Sequence, residues 1–172
     1  MATPVEVVPP QIIAARIKEV GERISRDFPD GDLVLVGMLK GAVVFLADLL
    51  RAISRPVRIE LVTVARQGAP RGEIIELAYA TQVHLHNAHA IILKDIFHSG
   101  VTENYLLTHL AQQDPRSLDV AALINRPMLR RVALQPRYVV LEDAPDGRLV
   151  GYGMEFQGRW GNLPGIHLLE GA

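Results

Sequence analysis

The segment Leu33-Val34-Leu35-Val36-Gly37 carries no polar side chain, and Ala90-Ile91-Ile92-Leu93 repeats the pattern further along the chain. A strand with one solvated face alternates apolar and polar residues, whereas one that is apolar throughout is buried on both faces, as in a parallel sheet covered by helices. Each run leads through a short loop into a helical pattern, over residues 42–52 in the first case and about Thr102 to Gln112 in the second. Val57 to Val64, Ile74 to Tyr79, Leu118 to Ile124 and Tyr138 to Leu141 read as further strands, with 67–72 as a loop. Before all of these, Ile13, Ile17, Val20, Ile24 and Phe28 recur at spacings of three and four behind Pro9-Pro10, which predicts an amphipathic helix closed by Pro29-Asp30-Gly31. Strands alternating with helices imply an α/β sheet with crossover connections. With no repeat or linker visible, residues 1–172 are expected to form a single domain.

Several function classes fall away on composition. The formal net charge of −1 offers no global attraction to nucleic acid or to an anionic membrane, so recognition of a phosphate has to be local. The absence of cysteine removes disulfides, thiolate catalysis and Cys-type zinc sites. No signal-peptide pattern is visible, and the longest apolar run, 42–50, is broken by Asp48 and too short to span a bilayer. A soluble, cytoplasmic protein is expected. His84, His86 and His89 lie close together, but no carboxylate or cysteine accompanies them, and a solvated turn is the plainer reading. Arg126, Arg130 and Arg131 form a small basic cluster without an aromatic platform, so it is assigned to a ligand edge or solvent rather than to a nucleic-acid groove. The one tryptophan, Trp160, is assigned to the core or a subunit contact.

In open α/β sheets ligands bind beyond the carboxyl ends of the strands. The two strand-to-helix loops that matter are Met38-Leu39-Lys40-Gly41 and Ile96-Phe97-His98-Ser99-Gly100-Val101-Thr102. The second brings Ser99, Thr102 and exposed backbone N–H groups to a helix start, a plausible nest for a phosphate. Alone, Ser-Gly before a helix is more often a plain cap.

Order and context strengthen that reading. Val36-Gly37-Met38-Leu39-Lys40-Gly41, followed by an apolar helix, resembles the pyrophosphate-contacting loop of the hypoxanthine-guanine phosphoribosyltransferases. Ile91 through Thr102 falls at that family's ribose-phosphate signature, and Glu103-Asn104-Tyr105-Leu106-Leu107 continues it. Leu123 through Pro127, Pro145 through Phe156 and Asn162-Leu163-Pro164 also match, in order, so the resemblance runs from about residue 9 to 169. It implies a type I phosphoribosyltransferase fold: a mostly parallel sheet flanked by helices, with a small hood formed by the terminal segments. It further implies a homodimer or homotetramer.

The same resemblance exposes departures clustered on the chemistry. The family's adjacent carboxylates, which face the ribose hydroxyls and magnesium, are here Lys94 and Asp95. Exchanging an anion for a cation changes the local charge by two, and each unit interaction is worth about 4 kcal/mol at 4 Å and an effective dielectric near 20. That disfavours a metal ion at the usual place, or lets the ammonium stand in for part of its charge. His98 replaces the Asp implicated in proton transfer at the purine; a histidine can do this near neutral pH, although a solvated loop histidine is the blander reading. Ala65-Arg66-Gln67 lacks the hydroxyls of the family's closing loop. Arg148 stands at the aromatic that stacks on the base, and Arg126 at the lysine that meets the exocyclic oxygen. Glu155 replaces a metal-associated Asp, and Gly161 an arginine near the pyrophosphate.

Carried over, the resemblance gives Ser99, Gly100, Val101 and Thr102 the 5′-phosphate and Leu39, Lys40 and Gly41 the pyrophosphate side. Asp95 meets the ribose, Arg126, Arg148 and Leu149 the purine, and His98 assists the chemistry. The partners implied are a purine base or nucleotide and phosphoribosyl pyrophosphate. Mg2+ is implied, held in part by Glu155, if the chain is active, and no cofactor otherwise. Three readings are open at this point: a hypoxanthine/guanine salvage transferase, a transferase for another base, and a non-catalytic purine-nucleotide sensor or regulatory protein.

Overall fold

The computed structural model describes residues 2–69, 72–79, 83–142 and 144–171, with only the backbone described for 65–69, 72–77 and 79. Six strands form the main sheet: β2 (Leu33–Leu39), β3 (Arg58–Ala69), β4 (Gly72–Tyr79), β5 (His89–Phe97), β6 (Ser117–Asn125) and β7 (Tyr138–Leu141), in the order β4-β3-β2-β5-β6-β7. The five strands from β3 to β7 in that order run parallel, and β4 returns antiparallel along β3. Helices α1 (Pro10–Asp27) and α2 (Val43–Ala52) precede β2 and β3, and α3 (Val101–Leu110) follows β5.

The all-apolar strands do what their sequence requires. Leu33 and Leu35 of β2 and Ile91 and Leu93 of β5 point into one core, with Ile13, Ile17, Val20 and Ile24 of α1 and Phe45 and Leu49 of α2. Their neighbours Val34, Val36, Ala90 and Ile92 point into a second core on the other face, closed by Leu106 and Leu110 of α3. Burial of each such side chain contributes roughly 1.5–3 kcal/mol, so continuous apolarity over two strands gives both cores their backbone.

A second, three-stranded antiparallel sheet joins the chain's two ends: β1 (Thr3–Val8), β9 (Ile166–Glu170) and β8 (Leu149–Val150), ordered β1-β9-β8. This is the hood implied by the resemblance. Its strands are short and broken by turns, so hydrophobic pattern alone does not announce them.

Three expectations need correction. The stretch 67–72 is not an open loop: β3 runs to Ala69 and β4 starts at Gly72, which pair directly, with Pro70 and Arg71 outside the described residues. Antiparallel pairing satisfies backbone groups that composition alone would have left to solvent. The helix after β5 ends at Leu110, and Ala111–Gln113 form a single 3-10 turn. Trp160 is not a core residue: it is half-buried, and its ring stacks on Phe156 with centroids 6.5 Å apart.

Two of the three clustered histidines take different partners. His86 faces Asp114 at 3.4 Å, while His89 packs on Phe28 and meets Ser117 Oγ at 2.7 Å. No helix among the described residues is long and apolar enough to cross a membrane.

Candidate active site

From β2 the chain crosses through α2 to β3 on one side, and from β5 it crosses through α3 to β6 on the other. The carboxyl ends of neighbouring β2 and β5 therefore form a topological switch point, where diverging loops leave a crevice. A cavity of about 700 Å3 lies there. It collects Lys40 and Gly41 after β2, Asp95 and His98 from the end of β5 onward, Arg126 after β6, and Arg148, Leu149 and Glu155 from the hood segment. Eight of the residues expected from sequence thus share one wall. Leu39 and Gly161 line an adjoining cavity of about 400 Å3 that shares Lys40 and Glu155. Ser99, Gly100, Val101 and Thr102, which follow His98 in the chain, do not line the main cavity, and neither does Lys94, which is tied to Asp95.

Gly41 fixes the first contact. A Cβ at that position would stand 1.9 Å from Asp95 Oδ2, so only glycine lets the β2 loop close onto the β5 carboxylate. The Leu39–Lys40 peptide just before it is cis, and Lys40 is exposed. The other Asp95 oxygen, Oδ1, holds Lys94 Nζ at 2.8 Å.

The β5 loop is held more firmly. Gly100 adopts φ +76° at the N-cap of α3, a left-handed conformation that favours glycine. Its carbonyl accepts from Asn104 N–H at 2.8 Å, while Val101 N–H reaches Ser99 Oγ only at 3.5 Å. The opening N–H groups of a helix have no carbonyl of their own turn to bond, and they attract anions. The Ser99 N–H donates to His98 Nδ1 at 2.9 Å. A neutral ring so bonded carries its proton on Nε2 and is a donor there. A base at Nε2 would need the opposite tautomer, whose Nδ1–H would meet the Ser99 N–H.

Arg130 is the residue that sequence reasoning misplaced. It is half-buried and does not line the cavity; it folds beneath the β5 loop, donating to the His98 carbonyl at 2.9 Å and to Asn125 Oδ1 at 2.7 Å. Its guanidinium lies 3.9 Å from the Phe97 ring centroid. Burial pushes its pKa down from the ordinary arginine value, and nearby Glu103 opposes that shift. No spacing signals this role, because His98 is 32 positions away. Phe156, the last residue of the Pro145–Phe156 motif, was also missed: it lies under the Arg148 guanidinium at 4.5 Å and stacks on Trp160 in turn. Arg126 donates to the Pro145 and Gly147 carbonyls at 2.9 and 3.1 Å and so anchors the segment that carries Arg148.

The charges are uneven. Lys40, Lys94, Arg126 and Arg148 face or back the cavity against only Asp95 and Glu155, an excess of two positive charges in a chain of net −1. The site therefore suits an anionic ligand. It does not suit a magnesium ion beside Asp95, since that carboxylate is already bound to an ammonium. Glu155 is exposed, with its stem packed against Gly161. Among the described residues no group of three His, Asp or Glu side chains is placed to hold a metal.

A fold of this topology with a cationic crevice at the switch point defines a nucleotide- or sugar-phosphate-binding α/β protein. Comparison with known proteins makes that specific. The model of the phosphoribosyl transferase domain matches residues 6–157. The chain is 32% identical over 166 residues to the hypoxanthine-guanine phosphoribosyltransferase of Mycobacterium tuberculosis H37Rv, covering 92% of this chain and 82% of the relative. It is 31% identical to the Staphylococcus epidermidis enzyme of the same name, covering 89% and 86%. A crystal structure of a Bacillus anthracis hypoxanthine-guanine phosphoribosyltransferase with HEPES in its active site superposes with a TM-score of 0.89 at 29% identity, covering 96% of each chain. A point mutant of the Trypanosoma cruzi hypoxanthine phosphoribosyltransferase, in complex with its product IMP, superposes equally well at 30% identity over 99% of this chain and 91% of that one. The chain belongs to the hypoxanthine-guanine phosphoribosyltransferase family and is a purine phosphoribosyltransferase of that type.

Proposed function

We propose that this chain, acting as one phosphoribosyltransferase unit over residues 1–172, joins a 6-oxopurine to the ribose of phosphoribosyl pyrophosphate and releases pyrophosphate. The observation that carries the reading is the single cavity at the switch point, where Lys40, Asp95, His98, Arg126 and Arg148 converge from four separate segments. Ser99, Gly100, Val101 and Thr102 hold the 5′-phosphate at the start of α3, where backbone N–H groups and the helix dipole favour an anion. Leu39, Lys40 and Gly41 face the pyrophosphate, with Lys40 supplying a point charge for a leaving group that gains negative charge. Asp95 accepts from the ribose hydroxyls.

The base enters against the hood. Arg148 offers one face of its guanidinium plane to the purine while Phe156 supports the other, and Leu149 closes the edge. Arg126 donates to the 6-oxygen. His98, as the Nε2–H tautomer, donates to N7, the acceptor that a purine joined through N9 presents, while the N9 proton passes to the departing pyrophosphate. The sum of these contacts holds N9 and the anomeric carbon in line, and positioning of this kind is the main source of rate in transfer between bound partners. Mg2+ accompanies phosphoribosyl pyrophosphate in the family generally; were an ion to arrive with the pyrophosphate here, Glu155 is the cavity carboxylate that would meet it, and binding does not depend on it. The working form is a homodimer or homotetramer in the cytoplasm.

The test is calorimetric titration of inosine 5′-monophosphate into the wild-type chain and into Arg126→Ala and His98→Ala. Loss of a charge-assisted hydrogen bond of about 1.5–3 kcal/mol predicts at least roughly tenfold weaker binding for Arg126→Ala, with a smaller loss for His98→Ala. Equal affinity in all three proteins would remove the purine from this wall.

A further inference from the structure

Lys94 and Asp95 are consecutive residues of β5, and alternation starts their side chains toward opposite faces of the sheet. The lysine stem nevertheless returns its ammonium to 2.8 Å from Asp95 Oδ1, and the two side chains are only 24% and 21% exposed. Asp95 Oδ2 lies against Gly41, so the carboxylate is wedged between the ammonium and the β2 loop while still lining the cavity. Most other ion pairs are different in kind. Arg16–Glu19 and Arg51–Asp48 are helix-surface pairs, and Arg58–Asp32 and Arg137–Asp119 sit at the opposite, amino end of the parallel strands. In Lys94–Asp95 the acid lines the cavity and the ammonium backs it.

A divalent magnesium ion requires oxygen ligands in octahedral array and commonly uses one or two carboxylates together with ligand phosphates and water. The β5 part of this wall offers one carboxylate, Asp95, with its charge already matched by Lys94, and Glu155 joins the wall from the hood segment. An ammonium needs no such array. It brings one positive charge and three donors, of which one goes to Asp95 and two remain for oxygens of a ligand.

We infer that the Lys94–Asp95 pair is a built-in replacement for the ribose-side metal ion, so that this chain binds phosphoribosyl pyrophosphate without Mg2+. The inference rests on the reading of the cavity as a phosphoribosyl site. Asp95 accepts from the ribose hydroxyls, and Lys94 supplies at the same place the positive charge that a bound cation would bring.

The test is calorimetric binding of phosphoribosyl pyrophosphate to the full chain in EDTA and in MgCl2, for wild type, Lys94→Met and Lys94→Glu. Ribose 5-phosphate, which lacks the chelating pyrophosphate, is titrated alongside, and circular dichroism melts establish that each variant is folded. Wild-type affinity is expected to change by less than about threefold between the two buffers, and Lys94→Met to lose about tenfold or more in EDTA, since one charge–charge contact is removed. Lys94→Glu restores a carboxylate pair and is expected to bind about tenfold or more tightly with Mg2+ than without it. If Lys94→Glu does not fold, the wild-type and Lys94→Met titrations decide the matter. A wild-type chain that binds only with Mg2+, or a Lys94→Met variant unchanged in EDTA, overturns the inference and leaves the phosphoribosyl site standing. A folded wild-type chain that binds neither ligand in either buffer overturns the site itself, and the inference with it.

Discussion

The two ends of the parallel sheet carry comparable numbers of charged side chains and use them differently. At the amino end they are bonded to one another. Arg58 reaches Asp32 at 2.6 Å. Arg137 bridges Asp119 and Asp27 at 3.0 and 3.1 Å, and the Tyr138 hydroxyl donates to Asp27 at 2.7 Å. Arg55 donates to the carbonyls of Phe28, Asp30 and Gly31. At the carboxyl end Lys40, Arg126, Arg148 and Glu155 point at a cavity instead. The first arrangement ties the amino ends of the strands to one another and to the end of α1; the second leaves unspent electrostatic attraction for a ligand. With the exception of Lys94–Asp95, paired charge belongs to stability, and converging charge to binding.

Substitutions at the two ends should therefore separate affinity from stability. The largest effect is expected at Gly41→Val, whose side chain would occupy the place of Asp95 Oδ2. Displacing that carboxylate should weaken phosphoribosyl pyrophosphate binding by roughly a hundredfold, about 2.7 kcal/mol, as read by calorimetry. Arg130→Met sharpens the contrast, because Arg130 is a bonded cation at the carboxyl end. Losing its bonds to the His98 carbonyl and Asn125 should cost about 2 kcal/mol in urea unfolding and weaken nucleotide binding as well. Tyr138→Phe removes one buried hydrogen bond to Asp27 and should lower stability by about 1 kcal/mol while leaving ligand affinity unchanged. A change in affinity there would break the division between the two ends.

The smallest effect is one of pH. Burial, with the Arg116 charge second, lowers the pKa of His89 from the ordinary 6.5. Because the folded state holds this ring neutral, its contribution to stability is complete above about pH 6.5 and is lost as pH falls from there through the lower folded value. Thermal melts across that window should show a declining midpoint that is flatter in His89→Gln.

The parts legible in the sequence were those whose signal is local or repeated. Continuous apolarity in β2 and β5 announced strands buried on both faces, and the four-three-four spacing of Ile13, Ile17, Val20 and Ile24 announced α1. The site's members were legible through their motifs, and Lys40, Asp95, His98, Arg126 and Arg148 do meet on one wall. What stayed hidden depends on distant contacts. Arg130 looks like its neighbour Arg131 in the sequence, and only the path of the chain after β6 folds it under His98. The tautomer of His98 follows from an adjacent backbone N–H whose direction is set by the loop, and the ion pair of Lys94 with Asp95 contradicts simple alternation along a strand. Antiparallel pairing drew 67–69 and Gly72 into β3 and β4 because backbone hydrogen bonds outweigh a turn-rich composition.

The measurement that bears most directly on the account is turnover. The full chain is incubated with phosphoribosyl pyrophosphate and hypoxanthine, guanine, xanthine or adenine in turn, and nucleotide and pyrophosphate are followed together at high protein concentration. The account predicts equimolar nucleotide and pyrophosphate with hypoxanthine or guanine, as the role proposed for Arg126 requires an oxygen at C6, and little product with adenine. No nucleotide from any base, in a chain shown to bind inosine 5′-monophosphate, would contradict it and leave a purine-nucleotide-binding module in place of a transferase.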